Sequence, residues 1–444
     1  MKSKQVSGGS PGTLSATKNQ TGSSAPSPQN GAGDAFVSLS SGALKAIRSR
    51  QAMNALARLR LQSANPLQGL EESSDKPKPL AAWRTEGRVR CTPAFSPNGK
   101  WVAVGSEDSH FRLFDVAGRR QETIWETGSE VCSTPAFSPD GKLLAAGSDD
   151  HSLYLYDVKS QRQIAKWDTQ DSISGAPAFS PDGKLLAVGS NDYNLYLYDL
   201  QSKKEIAKWN TGGASIQSAP QFSPDGKMLA AGDTHHTLHF FDLESGKEVG
   251  KCETGEATFS APTFSPDGKM YASGSIDHNL YLCDVEARRK IGEWDCGARI
   301  FSAPAFSPDG KLIAVGTEDG NVLLYDVESK NEEPVRKWKI GEKGDSSPAF
   351  SPDGKLLAAC SAAGELHVYD VSSGNETVQY KIGSGPTAPV FSPDGKFVAI
   401  GSDDQSLYLF SASGSPDLPI GRESGDLSLK LEISGSAFPG NVAV

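Results

Sequence analysis

Ser174–Asn210 reads SGAPAFSPDGKLLAVGSNDYNLYLYDLQSKKEIAKWN, and its centre, Phe179-Ser180-Pro181-Asp182-Gly183-Lys184, decides the fold. The phrase recurs eight times, with Asn98 replacing the Asp in the first copy. Its Phe residues are Phe95, Phe137, Phe179, Phe222, Phe264, Phe306, Phe350 and Phe391, spaced by 42, 42, 43, 42, 42, 44 and 41. Eight copies of a six-residue phrase do not arise by chance, so the chain is an array of one unit.

The third copy gives the unit. Ala176–Ser180 is predicted as a short strand (a). Ser180-Pro181-Asp182-Gly183 is a tight turn, because Pro presets φ, Asp tolerates the next position and Gly supplies a positive φ. Lys184–Gly189 is a nearly all-apolar strand (b), as expected of burial on both faces. After a turn at Ser190–Asn194, Leu195–Asp199 alternates with period two as strand c. Glu205–Asn210, with Trp209, is strand d. Four strands in about 42 residues make one propeller blade, and eight copies predict an all-β, eight-bladed propeller.

The fourth strands do not add up without help. Their markers are Trp125, Trp167, Trp209, Cys252, Trp294, Trp338 and Tyr380, which is one short. The eighth copy loses the pattern in Ser411–Pro419. Trp83-x-Thr85 repeats Trp125-x-Thr127, and Trp83 precedes Phe95 by the same 12 residues. Residues 79–86 are therefore expected to pair onto the eighth blade and leave no free ring edge; Leu427–Ile433 is the competing segment.

The units resemble WD-repeat blades at Leu153-Tyr154-Leu155-Tyr156-Asp157. They resemble pyrroloquinoline-quinone-type blades more closely, at Ser218-Ala219-Pro220, Asp225-Gly226 and the Trp-x-Thr-Gly ending. The second group includes quinoprotein dehydrogenases and an envelope-assembly scaffold. The resemblance implies the fold over 79–411 and little about function, since propellers host many functions. Quinoprotein dehydrogenases have adjacent cysteines over the cofactor, and Cys91, Cys132, Cys252, Cys283, Cys296 and Cys360 include no adjacent pair. No Ser-His-Asp spacing or phosphate loop stands out. His235, His236 and His239 cluster in sequence, but neighbours on a strand point to opposite sides. No catalytic residue, cofactor or metal is expected. A quinoprotein-like or hydrolytic enzyme and an envelope-assembly scaffold are the alternative classes.

Comparison among copies marks the candidate site. The Asp ending strand c recurs seven times, from Asp115 to Asp370, and reads as a turn cap. Two positions vary instead. Five residues before each Phe stand Arg90, Cys132, Ser174, Gln217, Phe259, Phe301, Asp345 and Pro386. Fourteen after it stand Ser109, His151, Tyr193, His236, His278, Gly320, Gly364 and Gln405. The first set lies in d–a connections and the second in b–c turns, which leave a blade at the same end. That end is the expected binding face, with Arg90, His151, Tyr193, Gln217, His236, Phe259, His278, Arg299 and Phe301 as its residues. Phe259, Phe301 and Arg299 have the composition of an interaction hot spot or, alternatively, plug the channel. Acids in the b–c turns, such as Asp150, Asp192 and Asp404, read as turn residues or as an attractor of a basic partner.

The 444 residues carry a net charge of −10, split unevenly. Residues 1–70 hold eight bases and one acid, and the rest is strongly acidic, which argues against nucleic acid as a partner. No run of 18 apolar residues occurs, so no spanning helix is expected. Residues 1–78 form a Ser- and Gly-rich basic leader with a helix expected near 43–62, and 412–444 form a tail. The leader lacks the apolar stretch of a cleaved secretory signal. It is similar to the uncleaved leader of a bacterial type III secreted effector, a resemblance that implies a secretion chaperone and delivery into a host cell. An organelle transit segment and a packing helix are the other readings. The expectation is a cytoplasmic protein-interaction scaffold, secreted if the leader acts as its resemblance implies.

Overall fold

A computed structural model describes residues 77–235, 237–253, 263–329, 331–342 and 347–414. His236, Phe259, Asp345, Leu427–Ile433 and the leader up to residue 76, with its expected helix, lie outside the described residues. The described residues form eight four-stranded antiparallel sheets, each holding its strands in the order a-b-c-d. In the third blade these are Ala178–Phe179, Leu185–Gly189, Asn194–Asp199 and Lys204–Asn210. The a strands line the centre, where Ala94–Phe95 of the first blade lies against the a strands of the second and eighth. No helix among the described residues is long and apolar enough to cross a membrane.

The ring closes through the front segment. Ala81–Arg84 pairs antiparallel with Ser406–Leu409, Trp83 opposite Leu407, and supplies strand d of the eighth blade. Trp83 then stacks on Phe114 of the first blade, centroids 4.9 Å apart.

Period-two alternation in strand c does not separate core from solvent here. Leu195 and Leu197 pack with Ile216, Leu229 and Phe241 of the following blade, while Tyr196 and Tyr198 pack with Leu153 and Leu155 of the preceding one. Both faces are buried because blades stack face to face, so alternation sorts residues between two neighbours.

The Ser-Pro-Asp-Gly turns are built by their own side chains. Ser180 Oγ accepts from Leu185 N at 2.9 Å and donates to Asp182 Oδ1 at 2.7 Å, and that carboxylate accepts from Lys184 N at 3.1 Å. Asn98 makes the same bonds in the first copy. The eight turn glycines hold φ between 68° and 72°, which only Gly adopts without strain. These turns also touch around the ring. A Cβ added at Gly183 would lie 3.6 Å from Pro139 Cδ, and one at Gly99 would lie 3.7 Å from Pro393 Cδ across the closure. The phrase thus makes a continuous collar as well as eight hairpins.

The Asp ending strand c caps the c–d turn, as expected. Asp157, Asp199 and Asp242 each accept from the backbone N–H three residues on at 2.7 Å.

Candidate functional site

Up-and-down order sends the b–c turns and the d–a connections to the face opposite the collar. Backbone hydrogen bonds tie the two loop sets together within the ring. Glu107 N donates to Arg88 O, Asp149 N to Glu130 O and Glu318 N to Arg299 O. The b–c tip also receives the end of strand d, since Thr169 N donates to His151 O and Thr211 N to Tyr193 O.

The tip residues share one backbone state. Ser109, His151, Tyr193, His278 and Gln405 hold φ of 63° to 77°, and Gly320 and Gly364 hold the same region at 77° and 81°. Each non-Gly residue there costs roughly 1 kcal/mol relative to Gly. His151, Tyr193, His278 and Gln405 are exposed, Tyr193 at 44%. The variable position is therefore the left-handed tip of the turn, where the fold would be easiest to satisfy with Gly throughout.

The collar face has strained non-Gly residues as well, in the c–d turns: Arg119, Gln161, Lys203 and Arg288. Three of these reach back to the preceding blade. Lys203 Nζ donates to Ile164 O at 3.0 Å, Gln161 Nε2 to Glu122 Oε1 at 3.2 Å, and Arg288 to Val249 O. Among the described residues, the tip side chains of the other face show no such hold; His151 comes only within 3.9 Å of Asp171.

Most b–c aspartates serve their own blade. Tyr154 donates to Asp150 at 2.5 Å, Tyr281 to Asp277 at 2.5 Å and Tyr408 to Asp404 at 2.6 Å; Tyr196 does the same with Asp192. Burial alone would raise the Asp150 and Asp192 pKa values, but these phenol bonds and their other partners hold both below the usual range. In the fourth blade Asp233 replaces the usual Ser, and His239 replaces the Tyr. His239 Nε2 meets Asp233 Oδ2 at 2.8 Å and its Nδ1 meets Glu248 Oε1 at 2.6 Å, with His239 and Asp233 almost fully buried. His239 is thus a core residue in a polar cage, and sequence clustering with His235 was incidental.

Arg90, Gln217 and Arg299 are exposed and Phe301 is half-buried. Arg90 bridges Glu107 at 2.9 Å and Asp403 at 3.7 Å, which joins the first and eighth blades on this face. Glu130, Cys132 and Asp149 bring their donor atoms within 4.8 Å of one another at the face. Burial, chiefly, with the acids beside it, pushes the Cys132 thiol up to about 11, away from the thiolate that a soft metal requires.

One feature of this face was missed in the sequence. The d–a connections carry a β-branched plug at Val89, Val131, Ile173, Ile216 and Ile300, and each fills the space beside a strand-b glycine, as Ile173 does at Gly147. Gly385 takes the plug position before the eighth blade, and Cys360 replaces the strand-b glycine of the seventh. A recess of about 340 Å³ opens there, lined by Arg90, Thr92, Ser347, Cys360, Pro386 and Thr387 among others. The break in the plug series was readable; that it opens a cavity was not.

The molecule is thus an eight-bladed ring with a uniform collar and a varied loop face. The TolB beta propeller domain model matches residues 101–234 and 231–417, and the chain belongs to that family. The WD domain, G-beta repeat model matches residues 79–115. No curated protein matches the chain. Among solved structures, the computationally designed Ika8 protein is similar at 17% identity and TM-score 0.65, covering 75% of this chain and 99% of its own. Sqt1 from Chaetomium thermophilum, bound to the N-terminus of the ribosomal protein L10, is similar at 18% identity and TM-score 0.66, covering 76% and 100%. At such identities the likeness is one of fold.

Proposed function

We propose that the ring is a non-enzymatic protein-binding platform whose partner engages the d–a/b–c face. The observation that carries this reading is the contrast between two sets of strained turns. In c–d turns three of the four strained side chains brace the neighbouring blade; at the described b–c tips His151, Tyr193, His278 and Gln405 project from the surface. Residues held in a costly backbone state without a structural return are candidates for function. The recess beside Arg90 offers a seat for one partner side chain on the same face. A propeller of the same fold, Sqt1, holds a terminal protein segment, which supports this use of such a ring. The basic leader, on this reading, directs export with a secretion chaperone as its partner, supported by its charge contrast with the ring.

Photo-crosslinkers at Tyr193 and at Lys184 compare the two faces directly. A partner crosslinked from Tyr193 and absent from Lys184 supports the reading; equal yield from both, or yield from Lys184 alone, removes it. A reporter fused to residues 1–78 tests the leader, and retention of that reporter in cells with a type III apparatus ends the export reading.

A further inference from the structure

Blade seams follow one rule with one exception. At seven seams an aromatic ring of strand d lies on an aromatic ring of strand c in the next blade: Trp125 on Tyr156 and Trp167 on Tyr198 at 4.7 Å, Trp294 on Tyr325 at 5.4 Å, and likewise at Trp83, Trp209, Trp338 and Tyr380. Five of these tryptophans also donate Nε1–H to a carbonyl in the next blade's c–d turn, as Trp125 does to Gln161 O at 3.0 Å. At the seam between the fourth and fifth blades, both ring positions are cysteines. Cys252 stands where the Trp would be and Cys283 where the Tyr would be, their Sγ atoms 3.3 Å apart and not in a disulfide.

We propose that Cys252 and Cys283 are a redox-reactive pair that closes into a disulfide across this seam under a small hydroperoxide oxidant. Other departures from Trp and Tyr in the series keep a ring, as Phe241 and Tyr380 do. Here both members change together, into the two side chains that cross-link with each other. The seam has also lost its indole hydrogen bond, and Arg288 donates to Val249 O across it. Leu238, Phe240, Tyr271 and Val285 surround the sulfurs, so the pair sits in an apolar pocket of the interface.

The chemistry balances with the oxidant named. Cys252, 7% exposed where Cys283 is fully buried, attacks the peroxide O–O bond as thiolate, giving a sulfenic acid and, after protonation of the leaving hydroxide, water. Cys283 then attacks that sulfur, expelling a second water as the S–S bond forms. Two thiols lose two electrons and two protons, and one hydrogen peroxide becomes two waters. Hydrogen bonding with Cys252 and burial both push the Cys283 thiol up, so reaction waits on brief opening of the seam. That seam lacks the ring pair between strands d and c and keeps an edge contact of Phe240 with Tyr271 at 5.4 Å.

The test treats the full chain with hydrogen peroxide, blocks remaining thiols, and digests it without reductant. The expected product is one linked peptide containing Cys252 and Cys283, loss of two thiols, and a Tm rise of roughly 5 °C that dithiothreitol reverses. Cys252→Trp/Cys283→Tyr, which restores the common latch, should lose the peroxide response; should that variant fail to fold, Cys283→Ser must lose the linked peptide. Sulfinic acid on Cys252 without a link, oxidation at Cys132 alone, or a Tm that falls on linkage overturns the proposal.

Discussion

On the collar face, eight turns repeat one backbone angle, one hydrogen-bond set and one contact with the next turn. On the loop face, the described tips hold the same left-handed region, φ 63° to 81°, but carry Ser, His, Tyr, Gly or Gln. The same left-handed backbone state is therefore filled differently, by Gly throughout the collar and mostly by non-Gly residues at the described tips. Around the collar and the seams, side chains are fixed by what the next blade needs. On the loop face the backbone is fixed by hydrogen bonds to strand d, and the side chains of His151, Tyr193, His278 and Gln405 are exposed.

The largest expected effect lies in the seams that carry the repeated rule. Trp294→Ala removes a buried ring and the Nε1 bond to Asn331 O, and should cost about 4 kcal/mol in urea unfolding. Cys252→Ala should cost well under half of that. Equal losses would mean that the fourth seam is latched in some other way. Next in size, Gly183→Ala on the collar should lose about 1 kcal/mol, because φ is +69° there. Tyr193→Gly on the loop face should leave stability unchanged or raise Tm slightly while weakening partner capture. A Tyr193→Gly protein that melts several degrees lower would show that the tips are structural and would erase the contrast between faces.

Acid sensitivity is built into the collar turns, alongside Asp150 and Asp192 on the loop face. Lys142, Ser138 and the Lys142 backbone N–H hold Asp140 at about 2, and Ser180, Lys184 and the Lys184 backbone N–H do the same for Asp182. Their folded pKa values lie below the unfolded value of 3.8. Their stabilisation is complete above about pH 5 and drains away as pH falls toward 2. Circular dichroism should show stability nearly flat from neutrality to pH 5 and falling below pH 4. The smallest effect is that of Asp182→Asn, which copies the natural Asn98 turn. It should fold normally and shift the acid midpoint slightly downward; an upward shift would contradict the assignment.

Ring closure was legible because Trp83-x-Thr85 carries the repeat's signature at the right distance from Phe95. Strand c was legible as a strand but misleading as to burial, because alternation reads the same whether the second face meets water or another blade. The b–c acids show a similar limit. Asp150 and Asp192 were readable as turn residues, yet their ties to Tyr154 and Tyr196 depend on a phenol turning back over its own hairpin. The Arg90 recess was half legible, since the position six before each Phe is Val or Ile in five copies and Gly385 in the eighth, with Thr258 and Gly344 the other departures.

The sequence alone determined the unit, the count of eight and the turn chemistry, which lie within single copies of the repeat, and the segment that closes the ring, which carries the repeat's signature at Trp83-x-Thr85 although its pairing partner is far along the chain. Only the tertiary structure decided which side chains meet across blades. Trp125 meets Tyr156 and Cys252 meets Cys283 31 residues apart, at a distance set by the stacking of whole sheets. A repeat announces its period through local propensity; the register between neighbouring units is a packing result, and there the dithiol seam and the recess came into view.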